Sequence, residues 1–327
     1  MKEINWGIIG CGNVTEVKSG PAFNKVNNSR LVAVMRRDAA RAADYARRHA
    51  VPRWYCDADD LIGDAEVNAV YIATPPAMHA EYAIMAMKAG KPVYVEKPMA
   101  LNEAECREML RVSKETGQPL FVAYYRRELP YFVKIKELVD AATIGVVRNV
   151  ILKYHMPAKP EELVSTAHNG WRVDPAISGG GHFHDMACHQ LDFILYLLGP
   201  VKKVCGISRN QSGLYAADDS TLASLEFESG ALMNGSWCFT VPEILKADQA
   251  EITGSLGKIT FSFFSKPVIF IEKADGYTET IEIPYPEHVQ QPFIETMVKA
   301  LLGEGECAST GSSAIATTIL MDRITKG

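Results

Sequence analysis

From Ile4 onward, short apolar runs alternate with longer stretches of helical periodicity. Ile4–Ile9 is an apolar run that ends at Gly10-Cys11-Gly12, and a helical pattern follows toward residue 25. Residues 31–35 form a second apolar run. Residues 39–49, rich in Ala and Arg, predict a helix stopped by Pro52. Residues 69–73 run into Thr74-Pro75-Pro76, residues 80–89 read as helix closed by Gly90, and residues 92–95 are again apolar. Asn102 caps a predicted helix to residue 116, Gly117 follows it, and residues 120–123 complete the series. Strands alternating with helices predict βαβ units and a parallel sheet.

The pattern then changes. After a helical stretch at 131–141, strand-like segments dominate, at 146–154, 201–208, 221–227, 231–239, 250–253, 258–263, 268–272 and 278–283. Turns such as Ser229-Gly230 and Asp275-Gly276 join consecutive runs, as in an antiparallel sheet. A helix at 182–198 interrupts the series, and helices at 292–302 and 312–324 close the chain. The change of pattern divides the chain into domains at 1–125 and 126–327.

Composition narrows the function classes. A chain of 327 residues has room for two domains. A net charge of −5 argues against a general nucleic-acid binder, while leaving room for a local basic pocket. No apolar run reaches the ~18–20 residues of a membrane span, so no membrane partner is expected. The opening residues carry no small-residue cleavage site, so no leader is expected and the cytoplasm is the expected compartment. The seven cysteines are odd in number and contain no C-x-x-C pair. They read as reduced thiols rather than a disulfide framework or zinc ribbon.

Gly10-x-Gly12, with Asn13 and Val14 after it, sits between the first strand and the first helix. Glycines there allow a tight turn and close approach to a pyrophosphate, and the helix start supplies amide donors. Thr15 departs from the small third position of G-x-G-x-x-G/A. Alone the motif also fits a structural turn; the βα units that follow favour a dinucleotide. The second strand ends Met35-Arg36-Arg37-Asp38. Arg36 and Arg37 could hold a 2′-phosphate, so NADP(H) is expected over NAD(H). The arginines also read as solvated helix caps, and Asp38 as a ribose ligand two positions on. In Glu96-Lys97-Pro98, a lysine at a strand's C-terminal edge fits a group that bonds a reacting oxygen. It fits a surface lysine beside Glu96 equally well.

Several motifs together resemble the Gfo/Idh/MocA oxidoreductase family. They are Gly7-Ile8-Ile9-Gly10-Cys11-Gly12; Ala73-Thr74-Pro75-Pro76 with His79; and Ala89-Gly90-Lys91-Pro92 through Glu96-Lys97-Pro98. Trp171-Arg172, Ser178-Gly179-Gly180-Gly181, Asp185-x-x-x-His189-x-x-Asp192 and Ser309-Thr310-Gly311 add to them. The resemblance implies an α/β chain, with an N-terminal Rossmann dinucleotide-binding domain and a C-terminal α+β domain around a large, mainly antiparallel sheet. It implies homodimers or homotetramers built through that sheet's open face. Lys97, Asp185 and His189 match the family's catalytic positions. Lys97 would polarise the reacting oxygen, His189 would move the proton, and Asp185 would orient the imidazole or bind a hydroxyl. Thr74, Pro75, His79 and Glu96 match positions that line the cofactor; each also reads as a strand-end turn residue. The implied reaction is hydride transfer between a nicotinamide and a hydroxyl or carbonyl carbon of a sugar, inositol or related polyol.

Some features depart from the family pattern. His182 and His184 make the second motif unusually rich in histidine. His182, Asp185 and His189, at helical spacing, also fit a metal site, though the family reaction needs no metal and none is expected. Arg127 aligns with a family arginine and could hold cofactor, substrate or fold; Arg126 replaces an amide. Trp171 and Arg172 suit a polyol pocket, or a core tryptophan with a surface arginine. Residues 285–288 carry no assignment. Two other functions fit the same scaffold: an NAD-dependent glycoside hydrolase without net redox change, and a dinucleotide-binding regulator without catalysis.

Overall fold

A computed structural model of the protein describes residues 2–160, 163 and 170–326. The chain forms two compact units, Met1–Leu129 with Pro286–Ile315, and Pro130–Tyr285 with Ala316–Gly327.

The first unit holds, in chain order, β1 (Ile4–Ile9), α1 (Asn13–Val17), β2 (Ser29–Met35), α2 (Ala39–Arg48), β3 (Arg53–Tyr55), α3 (Ala58–Gly63), β4 (Ala69–Ile72), α4 (His79–Lys88), β5 (Val93–Val95), α5 (Glu103–Thr116) and β6 (Leu120–Val122). Its six strands are parallel, in the order β3-β2-β1-β4-β5-β6. The order reverses direction across β1. In open α/β sheets ligands bind at such a switch point, beyond the carboxyl ends of the strands. The caps follow the sequence: Asp38, Asp57 and Asn102 accept backbone N–H groups at the starts of α2, α3 and α5, and Gly117 ends α5 at φ +69°.

The helix expected to run toward residue 25 stops at Val17, and a separate 3₁₀ turn covers Gly20–Asn24. Pro21 starts that turn, and a Cβ at Gly20 would strike the Thr15 carbonyl and the Tyr45 hydroxyl. The pattern also missed β3 and α3, which are only three and six residues long.

The second unit holds α6 (Pro130–Asp140), β7 (Val147–His155), α7 (Pro175–Ser178), α8 (Cys188–Leu198), β8 (Val201–Arg209), β9 (Ser220–Phe227), β10 (Leu232–Cys238), β11 (Ala247–Gly254), β12 (Gly257–Phe261), β13 (Val268–Lys273) and β14 (Thr278–Glu282). Its eight strands lie in the order β14-β13-β12-β11-β7-β10-β9-β8, antiparallel except for the β7–β10 pair. Side chains alternate across it. Val150, Leu152, Leu225, Met233 and Trp237 are buried, whereas Ile151, Ile207, Leu222 and Leu232 are exposed. Phe132 of α6 and Phe193 of α8 meet edge to face at 4.9 Å, and Phe263 packs on both.

The expected second domain, 126–327, is not continuous in space. The first unit runs to Leu129 and recovers residues 286–315, which carry α9 (Gln291–Leu302) and the start of α10 (Gly311–Lys326). Specific bonds hold them there: the Val122 amide donates to the Ser309 carbonyl, the Gln290 amide donates to the Lys18 carbonyl, and Phe293 packs on Tyr94. Arg127 is buried and donates to the Ala308 carbonyl at 2.6 Å and Ser313 Oγ at 3.0 Å. Among the described residues, no helix is long and apolar enough to cross a membrane.

Candidate active site

In the first unit, the turn after β1 is shaped by two glycines with different reasons. Gly10 sits at φ +93°, and a Cβ there would lie 2.9 Å from the Thr74 amide nitrogen, so packing and backbone both require glycine. Gly12 is extended at φ −123°, and its Cβ would meet only the Gly10 carbonyl oxygen, at 3.8 Å. The fold does not need glycine at residue 12. No side chain caps α1, which begins at Asn13 and Val14. Thr74 Oγ1 is buried without a partner among the described residues. A bare turn at a sheet switch point, beside an unbonded hydroxyl, fits a dinucleotide phosphate.

The second strand brings charge to this turn. Arg36 donates to the Cys11 carbonyl at 3.1 Å, while Arg37 is exposed. Asp38 is engaged elsewhere: it accepts the Arg41 amide at 3.1 Å and pairs with the Arg41 guanidinium at 3.5 Å. Burial pushes the Cys11 thiol up to about 11, so it stays a neutral packing group.

At the ends of β4 and β5, backbone bonds set the loops. His79 is fully buried, and burial pulls its pKa down. Its Nε2 faces the Thr74 carbonyl at 2.8 Å and its Nδ1 the Pro98 carbonyl at 2.9 Å. The ring therefore links the Thr74-Pro75 loop to the Lys97-Pro98 loop and offers no ring nitrogen to a ligand. Glu96 is also buried. Its Oε1 accepts from Tyr71 at 2.6 Å and from Gln290 Nε2 at 2.7 Å, and its Oε2 accepts the Lys97 amide at 3.2 Å. Lys97 follows at half-burial. Sequence reasoning missed Gln290, because no local pattern ties residue 290 to residue 96.

In the second unit, Arg172 lies over the Trp171 ring at 4.5 Å and donates through Nε to Asp185 Oδ2 at 3.2 Å. The structure thus brings together three of the expected residues of this unit. His189 is buried and packs edge to face on Phe264. The expected helix 182–198 contains a π-helical turn over Phe183–Ala187, with α8 after it. Residues four apart, such as Asp185 and His189, still fall on one side of such a wider turn. A Cβ at Gly180 would strike the His184 ring, which accounts for glycine there. Burial pushes His184 down to about 4, so it is neutral at neutral pH. His182 packs against Phe239 and Tyr215. Among the described residues, no three His, Cys, Asp or Glu side chains group to hold a metal ion.

A parallel sheet with a glycine turn at its switch point is the architecture of a dinucleotide-binding Rossmann domain. The comparisons give the family. Residues 4–124 match the family model described as an oxidoreductase family with an NAD-binding Rossmann fold, and residues 132–260 match the GFO/IDH/MocA C-terminal domain. The chain belongs to the Gfo/Idh/MocA family and is a dehydrogenase or reductase. A protein named Oxidoreductase P35, from Formosa agariphila, is 42% identical over 98% of this chain and 97% of its own. A scyllo-inositol 2-dehydrogenase (NAD(+)) of Bacillus subtilis is 28% identical over 97% of this chain and 90% of its own. Among solved structures, a levoglucosan dehydrogenase in complex with NADH has a TM-score of 0.88 at 23% identity, covering 98% of this chain and 96% of that one. A 3-ketoreductase from Actinomadura kijaniata, in complex with NADP and TDP-benzene, has a TM-score of 0.85 at 21% identity, covering 98% and 97%. These two likenesses speak to the fold.

The two glycines separate folding from binding. Gly12→Ala is expected to keep the wild-type melting temperature and weaken nicotinamide-dinucleotide binding by roughly tenfold or more, the loss of about 1.4 kcal/mol. Gly10→Ala is expected to lower stability by about 1–3 kcal/mol, as a strained, overpacked site does. Nucleotide titration with thermal melts reads both. Unchanged affinity in a well-folded Gly12→Ala protein would contradict the assignment of the turn.

Proposed function

We propose that the protein is an NADP(H)-preferring oxidoreductase that interconverts a hydroxyl and a carbonyl on a sugar, inositol or related polyol. The bound nicotinamide supplies or accepts the hydride. Gly10, Gly12, Asn13, Val14, Thr74 and Pro75 lie against it or its phosphates, with Arg36 and Arg37 on a 2′-phosphate. Lys97 polarises the reacting oxygen. His189 moves the hydroxyl proton, a task that an imidazole suits near neutral pH. Asp185, held by Arg172, and the Trp171 face bind the substrate's other hydroxyls. His79, Glu96 and Arg127 act through the backbone they hold.

The observation that carries this reading is the turn after β1, where Gly12 is glycine without a packing reason, inside a family defined by dinucleotide binding. The NADP(H) preference is supported by Arg36 on that turn and by Asp38, whose carboxylate caps α2. One charge-assisted bond contributes about 1.5–3 kcal/mol, or roughly 10–100-fold in affinity. The substrate class is supported by the names of relatives, which include inositol 2-dehydrogenases and a 1,5-anhydro-D-fructose reductase. The exposed Ile151, Ile207, Leu222 and Leu232 on the sheet's open face favour pairing with a second copy. A monomer in sedimentation at micromolar concentration would remove that part.

The test is a screen of NADP⁺ and NAD⁺ reduction with inositols and sugars, and of NADPH and NADH oxidation with their keto forms. Turnover is expected, with NADP(H) bound about 10–100-fold tighter than NAD(H). Lys97→Ala and His189→Ala are expected to lose about 10²–10⁴ in kcat with cofactor Kd within about threefold. Tighter NAD(H) binding would overturn the cofactor preference, and full activity in Lys97→Ala would overturn the assigned chemistry.

A further inference from the structure

The returning segment supplies a buried side chain next to the proposed reactive lysine. Gln290, fully buried, lies just before α9, four residues after the chain rejoins the first unit at Pro286. Its Oε1 accepts the Tyr94 hydroxyl at 2.6 Å, and its Nε2 donates to Glu96 Oε1 at 2.7 Å. Tyr71 donates to the same carboxylate oxygen at 2.6 Å, and Glu96 Oε2 accepts the Lys97 amide. Burial pushes both tyrosine hydroxyls well above their usual range, so they remain donors. The bonds fix one orientation of the amide. With the amide flipped, its oxygen would face the Glu96 carboxylate, acceptor against acceptor.

We propose that Gln290 is a positioning residue for the reaction: it holds the Glu96 carboxylate, which in turn holds the backbone of Lys97. The proposal rests on the reading that Lys97 takes part in the chemistry. The tyrosines sit on the adjacent strands β4 and β5, Glu96 directly follows β5 with its amide on the Ile72 carbonyl, and this pairing places all three. Gln290 comes from nearly two hundred positions further along the chain, so its presence makes the geometry at Lys97 depend on the docking of residues 286–291. A small misplacement of a catalytic group costs a large factor in rate, so a residue that touches no substrate can govern kcat.

Two substitutions separate positioning from bulk stability. Gln290→Ala removes the clamp. Gln290→Glu keeps its shape: protonated, the new carboxyl accepts from Tyr94 and donates to Glu96; ionised, it stands against a second buried carboxylate. Hydrogen exchange is followed by mass spectrometry on the peptide spanning residues 93–101, with β1 and β2 peptides as controls. Steady-state kinetics use the best substrate from the inositol and sugar screen at pH 5–9. In Gln290→Ala the expected result is faster exchange confined to 93–101 and kcat lowered about 10–100-fold, with NADP(H) Kd within threefold of wild type. In Gln290→Glu the expected result is near wild-type kcat at low pH and a loss on the alkaline side that wild type lacks. Unchanged exchange at 93–101 would overturn the clamp. Faster exchange with unchanged kcat at every pH would overturn the positioning role, as would a kcat loss equal to the unfolded fraction. Full activity in Lys97→Ala would sink the underlying reading instead, and is distinguishable because that variant keeps Gln290 and its exchange pattern.

Discussion

The first unit is organised around one buried carboxylate. Glu96 lies almost out of water, where an ionised group must find donors or destabilise the fold. It finds them in Tyr71 of β4, Gln290 before α9, and the backbone amide of Lys97. Each bond to a charged group contributes about 1.5–3 kcal/mol, and losing one partner leaves the others beside a poorly solvated charge. Three distant stretches of chain are thereby made interdependent. The strand end that presents Lys97 is set by a strand neighbour on one side and by a returning segment on the other.

The same logic separates the groups that build the edge of this sheet from those left for a ligand. His79 sets its two ring nitrogens against the carbonyls of Thr74 and Pro98, so it spans two loops. Arg127 gives its guanidinium to Ala308 and Ser313, and so fixes the returning segment beside β6. Gly10 is glycine because β4's end crowds it. Gly12 has no such packing reason, and the Thr74 hydroxyl is buried without a partner among the described residues, which is why the proposed dinucleotide site is drawn there.

Much of this was legible in the sequence. The alternation of strands and helices from Ile4 gave the parallel sheet, and the Ser-Gly and Asp-Gly turns gave the antiparallel one, because both signals are local. The motifs around Gly10, Thr74, Lys97 and Asp185 gave the family. What stayed hidden depends on long-range packing. No pattern near residues 286–315 says that they rejoin the first unit. Nothing near Phe183–Ala187 announces a π turn, and the need for glycine at residue 20 depends on the Tyr45 hydroxyl packed against it from α2. The roles of Arg127 and His79 depend on partners that only the folded chain supplies.

The most direct test follows the hydride. The protein would be given NADPH carrying deuterium at the transferable position of nicotinamide C4, together with the keto form of its best substrate, in ordinary water. The product would then be analysed by mass spectrometry and NMR. One deuterium is expected on the newly formed carbinol carbon. Product with hydrogen from water at that carbon, or with no net oxidation of NADPH, would contradict it.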